Sequence, residues 1–160
     1  MSQKPNVESY FESELDAESI LEFGFENVCI STGAKWRRDG VSRQHVVPFS
    51  TDDATPIFTP DDLMNGANPM GHVGIYDDDQ YYMGGVLAEL LIQKGCSVIL
   101  VTPAAYVSEW TLNTLEQHEI HRRSATMRVK IELNRGITVI CEDYVRKNCM
   151  FTDMTRPVSC

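Results

Sequence analysis

Apolar and polar positions follow their clearest rhythm between residues 72 and 101. His72-Val73-Gly74-Ile75-Tyr76 reads as a short apolar strand. Met83, Val86, Leu87, Leu90 and Leu91 then recur at i, i+3, i+4, i+7 and i+8, which predicts a helix with one apolar face. Gly95 supplies its stop, and Ser97-Val98-Ile99-Leu100-Val101 reads as a second buried strand. Strand, helix and strand in about 30 residues make a βαβ unit, which requires a parallel sheet.

Elsewhere the pattern is weaker. It predicts a short strand over residues 6–11 and a short helix over 17–23, with Asp16 as N-cap and Gly24 as stop. Residues 25–31, centred on Val28-Cys29-Ile30, form a continuous apolar run expected of a strand covered on both faces, leaving through Thr32-Gly33-Ala34. Residues 36–71 are polar and carry Pro48, Pro56, Pro60 and Pro69. A structureless loop of that length is uncommon inside a compact domain, so a crossing between two lobes is expected. Within it, Thr59-Pro60-Asp61-Asp62-Leu63-Met64, closed by Gly66, is a helix start with cap, proline and first-turn carboxylates in place. A longer helix is predicted from Ser108 or Thr111 through Met127, with Leu112, Leu115 and Ile120 as its sparse apolar positions. The runs 129–133, 137–141 and 148–152, separated by Asn134-Arg135-Gly136 and by the charged stretch 143–147, predict a small antiparallel meander. The expected class is therefore α/β: a Rossmann-like, three-layer βαβ parallel sheet with a small antiparallel β meander.

Composition narrows the function classes. With 14 basic against 23 acidic residues the chain carries a net charge of -9, which repels phosphate backbones and anionic lipid, so neither nucleic acid nor membrane is expected as a partner. No apolar run approaches the ~18 residues of a spanning helix. The start, MSQKPNVESYFESELD, has no basic stretch followed by an apolar one, so no secretory signal is expected. Cys29, Cys96, Cys141, Cys149 and Cys160 contain no CxxC pair, which leaves neither a zinc site nor a disulfide framework and points to the reducing cytoplasm.

The βαβ unit raises the question of a dinucleotide. A working phosphate-binding turn needs glycine at the first strand's end, a second where the pyrophosphate approaches, and a third for helix packing. Those slots fall on Asp79, Tyr81 and Gly84, so only the packing glycine is present. A phenol ring fills the second, and Asp77-Asp78-Asp79 puts negative charge where a helix N-terminus should receive phosphate. At the second strand's end Thr102 replaces the ribose-binding acid. Three adjacent carboxylates on an extended strand point to alternate faces, so the run is expected to be a solvated turn and not a metal site. His118 and His121 stand at i, i+3, which is not the zinc-protease spacing, and Glu116, Arg122 and Arg123 surround them as on a wet face. Ser31-Thr32-Gly33-Ala34 can present backbone N–H groups to a nucleotide, and Trp36-Arg37-Arg38 can stack on adenosine and pair with its phosphate. No nucleophile elbow, P-loop or catalytic triad is present, so no catalytic residue is assigned. The candidate cofactor-binding residues are Thr32, Gly33, Ala34, Trp36, Asp79 and Gly84.

Two stretches, FENVCISTGAKWRRDGVSR and HVGIYDDDQYYMGGVLAELLIQKGCSVILVTPAAYVSEWTLNTLEQHEIHRR, resemble the C-terminal region of trimethylamine dehydrogenase-like enzymes. That group includes dimethylamine and histamine dehydrogenases and, more distantly, 2,4-dienoyl-CoA reductase and other NADH:flavin oxidoreductases. The likeness covers about Val7 to Cys160, and its specific part is DDDxYYMGGxLAE with VTPA and SEWT following. It implies a parent flavoprotein in which an FMN-bearing TIM barrel passes electrons to a 4Fe-4S cluster, followed by two lobes built like the FAD and NAD(P) domains of disulfide reductases. The FAD-like lobe of such enzymes can hold ADP, and the NAD-like lobe has lost its nicotinamide cofactor. On this likeness, residues 1–50 are the end segment of an FAD-like lobe, 51–71 a crossover linker with a short helix, and 72–160 a degenerate NAD(P)-binding-like lobe.

The departures are informative. A barrel of roughly 250 residues has no room here. The cluster-binding cysteines and the GxGxxG of the FAD-like lobe are absent, and Met127-Arg128-Val129 lacks a helix-ending glycine. The expectation is an excised domain or fragmentary gene product, itself non-catalytic, of a parent performing oxidative N-dealkylation or amine or enoyl oxidoreduction. Its partners would be the TIM-barrel remainder and an electron-transfer protein. Two other readings stand beside it: a free-standing ADP-binding module, and an active NAD(P)-dependent oxidoreductase, which would need the missing glycines.

Overall fold

The computed structural model describes residues 6–52, 54–142 and 144–159. The chain divides into two compact units, one ending at Ala34 and the other beginning at Lys35. In the first, helix α1 (Ala17–Glu22) starts where Asp16 accepts the Ser19 N–H, and Gly24 turns the chain at φ +66°. The strands expected over 6–11 and 25–31 do not form: both stretches are irregular, and Phe25, Val28 and Ile30 are 70%, 50% and 79% exposed. An apolar run becomes a strand only against a partner edge, and none of this unit's described residues supplies one.

The second unit holds two sheets. β2 (His72–Tyr76), α3 (Met83–Gln93) and β3 (Ser97–Val101) are the predicted βαβ unit, with β2 and β3 parallel from His72 opposite Ser97 to Tyr76 opposite Val101. β4 (Lys130–Glu132) joins the same sheet, parallel to β3, in the order β2-β3-β4. The stretch read as the meander's first strand therefore extends the parallel sheet instead. The meander itself is β5 (Arg135–Cys141), β6 (Tyr144–Cys149) and β7 (Thr152–Ser159), antiparallel, with β1 (Ser50–Thr51) pairing parallel to β5. The charged stretch expected to be a turn is mostly β6, and 148–152 holds the β6–β7 turn; Asp143 lies outside the described residues, as does Cys160. Four of the five cysteines are described, and all four are free.

α3 packs by its smallest residues. Gly84, Ala88 and Leu91 are its buried positions, whereas Val86 is 57% exposed, so the buried face is rotated from the one the large apolar residues outline. Ile75, Ala88, Leu91, Val98, Leu100, Val107 and Val129 form the core around it. α2 (Pro60–Met64) begins as predicted: Thr59 and Asp62 form a reciprocal capping box. The long helix expected from 108 to 127 is two pieces, a 3-10 turn over Glu109–Leu112 and α4 (Gln117–Thr126). Between them Leu115 takes φ +64°, and both Leu112 and Leu115 are exposed. α4 then ends with Arg128 at φ +62°, its N–H reaching Ala125 O and that of Val129 reaching Ser124 O, so an arginine does what glycine normally does at a helix end. No helix among the described residues is long and apolar enough to cross a membrane.

Candidate functional site

The carboxyl ends of β2 and β3 are where an open parallel sheet places a ligand crevice. Here that corner is filled from within. Asp77 follows β2 and donates its N–H to Val101 O at 2.9 Å, carrying the ladder one residue further. Its Oδ1 accepts the Gln80 N–H at 2.9 Å, while Oδ2 is buried without a hydrogen-bond partner. Burial in this setting pushes the Asp77 carboxyl up to about 6, with the charges of Asp79 and Asp78 adding to the shift. The same desolvation, with Asp78 and Asp77 nearby, raises the Tyr76 phenol.

Asp78 is equally buried. Its Oδ2 accepts two main-chain N–H groups, from Gln44 at 3.0 Å and His45 at 3.2 Å, and its Oδ1 faces Gln80 Nε2 at 3.4 Å. The first two aspartates are thus internal acceptors, each 4% exposed, and not the solvated turn expected of them. Carboxylates are placed inside when backbone donors need them, which no local pattern of charge reveals.

Of the predicted residues at this corner, Asp79 is half-buried in the β2–α3 turn and Gly84 is buried in the first turn of α3. A Cβ on Gly84 would lie 2.6 Å from Asp77 Oδ2, so the glycine makes room for the carboxylate that follows β2. Tyr81 packs edge-on against Tyr82 with ring centroids 4.3 Å apart. Tyr82, the residue before α3, donates its hydroxyl to Glu116 and makes no side-chain cap of the helix start. At the end of β3, Thr102 is fully buried: its N–H reaches Glu132 O, its carbonyl accepts Arg135 N–H, and its hydroxyl accepts the Ala104 N–H. These residues do not fit a dinucleotide.

Thr32, Gly33 and Ala34 belong to the first unit, where they are exposed; Gly33 takes φ +77° with open space where a side chain would stand. Trp36 belongs to the second unit, 40% exposed, its N–H on Asp61 Oδ2 at 3.1 Å. Its basic neighbours are already paired. Arg37 grips Asp39, whose carboxyl it holds down to about 2, and Arg38 bonds Asp62 and Ile57 O. On α4, Glu119 is held by Arg122 and Arg123, beside an exposed His118 and a half-buried His121. Two open grooves run along α3 and α4, lined by Glu89, Arg122, Arg123 and Met127 in one and by Tyr82, Val86, Glu116 and Ile120 in the other. Neither is lined by Asp77, Asp78 or Asp79. Among the described residues no three His, Cys, Asp or Glu side chains gather as metal ligands.

Sequence reading missed Arg43 and Trp110. The Arg43 guanidinium lies 4.6 Å from the Trp110 ring centroid, and Trp110 N–H binds Gln80 O at 3.0 Å, tying the 3-10 turn to the β2–α3 turn. A contact so distant in sequence leaves no local signature.

Comparison with known proteins agrees with this fold. A profile of the OYE-like second alpha/beta domain matches residues 58–153. Dimethylamine dehydrogenase of Hyphomicrobium sp. (strain x) is 30% identical over 120 residues, which is 73% of this chain and 16% of that protein. The structure of histamine dehydrogenase from Rhizobium sp. 4-9 aligns with 99% of this chain at 51% identity and a TM-score of 0.82, using 25% of its own length. That of 6-hydroxypseudooxynicotine amine oxidase from Pseudomonas geniculata N1 aligns with 97% at 33% identity and 0.79, using 23% of its length. The chain thus spans a quarter or less of the relatives it matches.

Proposed function

This chain belongs to the OYE-like second alpha/beta domain family and is homologous to dimethylamine and histamine dehydrogenases, and from that premise we propose that it is a non-catalytic part of an amine dehydrogenase-type flavoprotein. In this reading the FMN and the 4Fe-4S cluster belong to a TIM-barrel part outside residues 1–160, and the parent oxidises an amine, with oxidative N-dealkylation as the reaction class. The reading is motivated by the sequence, in which Cys29, Cys96, Cys141, Cys149 and Cys160 contain none of the closely spaced runs that hold such a cluster.

The observation that carries the reading is the corner at Asp77, Asp78 and Gly84, where two carboxylates are buried and the glycine packs on one of them; we read it as the lost phosphate site of a Rossmann-like NAD(P) lobe of disulfide-reductase type. Residues 72–160 are then the degenerate NAD(P)-like lobe, 51–71 the crossover, and 1–50 the end segment of an FAD-like lobe. The exposed Phe25, Val28 and Ile30 support the last assignment, because they would be covered by the remainder of that lobe. The lobes act as a packing platform, and an electron-transfer protein is the proposed partner of the whole. Free thiols suit a cytoplasmic setting.

The test is turnover. With dimethylamine or histamine, added FMN and a dye acceptor, this chain alone is expected to reduce no dye; amine-dependent reduction would overturn the reading. A second reading, an adenine nucleotide at Thr32, Gly33 and Ala34, is favoured by the open left-handed Gly33. It predicts slower amide exchange there at saturating ADP, and unchanged exchange would remove it.

A further inference from the structure

Residues 39–49 form a loop closed at its own neck. The Phe49 N–H binds Asp39 O at 3.1 Å, Val41 N–H binds Asp39 Oδ1 at 3.1 Å, and Ser42 N–H binds His45 O at 2.8 Å. The Phe49 ring lies against Gly40, where any side chain would collide with it. Such a neck makes the loop a preformed unit and not a wandering connection. Its tip is fastened at two places to the turn that follows β2. Asp78, itself buried, accepts the Gln44 and His45 N–H groups, and Trp110 takes the Arg43 guanidinium on its face.

We propose that the 39–49 loop is a strap that has taken a nucleotide's place at this crevice, clamped by Asp78 through Gln44 and His45 and by Trp110 through Arg43, so that a segment of the chain's own backbone holds the lobe closed. The proposal rests on the reading that the crevice takes no dinucleotide. Its logic is a reversal of polarity. In a working site the protein offers N–H groups and the ligand brings the anion. Here the crevice supplies one carboxylate, Asp78, and the face of Trp110, while the occupant brings the Gln44 and His45 N–H groups and the Arg43 cation. Charge-assisted hydrogen bonds to a buried carboxylate are the stronger kind, so the clamp can hold the loop in place. It also gives Asp78 a reason to be buried, which a vestigial turn would not.

The experiment is amide exchange on the whole 160-residue chain, followed residue by residue. In the wild type, Gln44 and His45 should exchange more slowly than the exposed Val46 and Val47. Asp78→Ala should speed exchange at Gln44 and His45 at least tenfold while the β2 and β3 amides stay protected. Unchanged exchange at both, with those strands still protected, would overturn the strap. Should Asp78→Ala fail to fold, Arg43→Ala decides, since it alters a surface side chain. In a Trp36→Phe background, where Trp110 is the sole indole, it should change the fluorescence and speed exchange at Gln44 and His45; no change in either would overturn the proposal. Adding NADH to the wild type separates the two claims. Binding accompanied by faster exchange at Gln44 and His45 would contradict the dinucleotide-free reading yet support the strap as a displaceable occupant.

Discussion

A Cβ placed on Gly84 would stand 2.6 Å from both Cγ and Oδ2 of Asp77 and 2.9 Å from its Cβ. The glycine of α3's first turn is therefore required by a carboxylate of the same chain.

Gly84→Ala should consequently destabilise the protein. Overpacking costs about 1–3 kcal/mol, partly offset by the ~1 kcal/mol that alanine gains over glycine inside a helix, leaving a net loss of up to about 2 kcal/mol. Gly85→Ala is the internal control. Its Cβ would meet Ile120 Cγ2 at 3.2 Å and Ser108 Oγ at an ordinary 3.7 Å, so the two effects should nearly cancel. Urea denaturation of the pair checks this.

Asp77 gives a pH signature of known sign. Its carboxyl is raised from 3.8 to about 6 in the fold, so the folded state holds the proton more tightly than the unfolded one. Its contribution is full below the ordinary value and is lost as pH rises through about 6, a swing on the order of 2–3 kcal/mol. Asp39, Asp62 and Glu119 are shifted down and act in the opposite sense, losing their contribution on acidification. Asp77→Asn should therefore stabilise the protein above pH ~6 and much less below pH ~4, where Asp77 is neutral in both states. Denaturant midpoints across that range, wild type against variant, measure the difference.

Lys147 on β6 is 6% exposed and bonds Glu132 on β4, joining the antiparallel sheet to the edge of the parallel one. Lys147→Ala leaves Glu132 with Lys130 at 3.6 Å as its remaining ion pair, so the expected loss is about 2–3 kcal/mol, below that for a fully orphaned buried charge. Lys147→Met with Glu132→Gln should recover most of it, since neither change then strands a charge. Thermal unfolding of the single and double variants tests the coupling.

Arg128→Gly should stabilise. An L-residue in the left-handed region costs roughly 1 kcal/mol, which glycine does not incur, and the two hydrogen bonds that end α4 are main-chain and survive. A rise in midpoint without a change in denaturant slope is the expected result.

How much of this was legible in the sequence follows the range of the interactions. The βαβ unit, the Asp16 cap and the Thr59 capping box rest on neighbours within a few residues, and pattern alone located them. Pairing partners are remote, so the stretch holding β4 reads equally well as part of a meander or as a third parallel strand; only its register with β3 decides. The break at Leu115 opposes an apolar spacing that suggested one long helix, and leucine carries no turn signal. At the crevice the missing glycines were visible. The replacement was not, because Asp78 finds its donors on Gln44 and His45, and Arg43 finds Trp110, across long separations.

The most direct measurement of the central claim is calorimetric titration of the folded 160-residue chain with NADH and NADPH. The predicted result is no binding heat up to millimolar cofactor, because the turn after β2 carries two buried carboxylates, Asp77 and Asp78, and has Tyr81 where a phosphate-binding sequence has glycine. A micromolar Kd, with amide protection over residues 77–85, would contradict it.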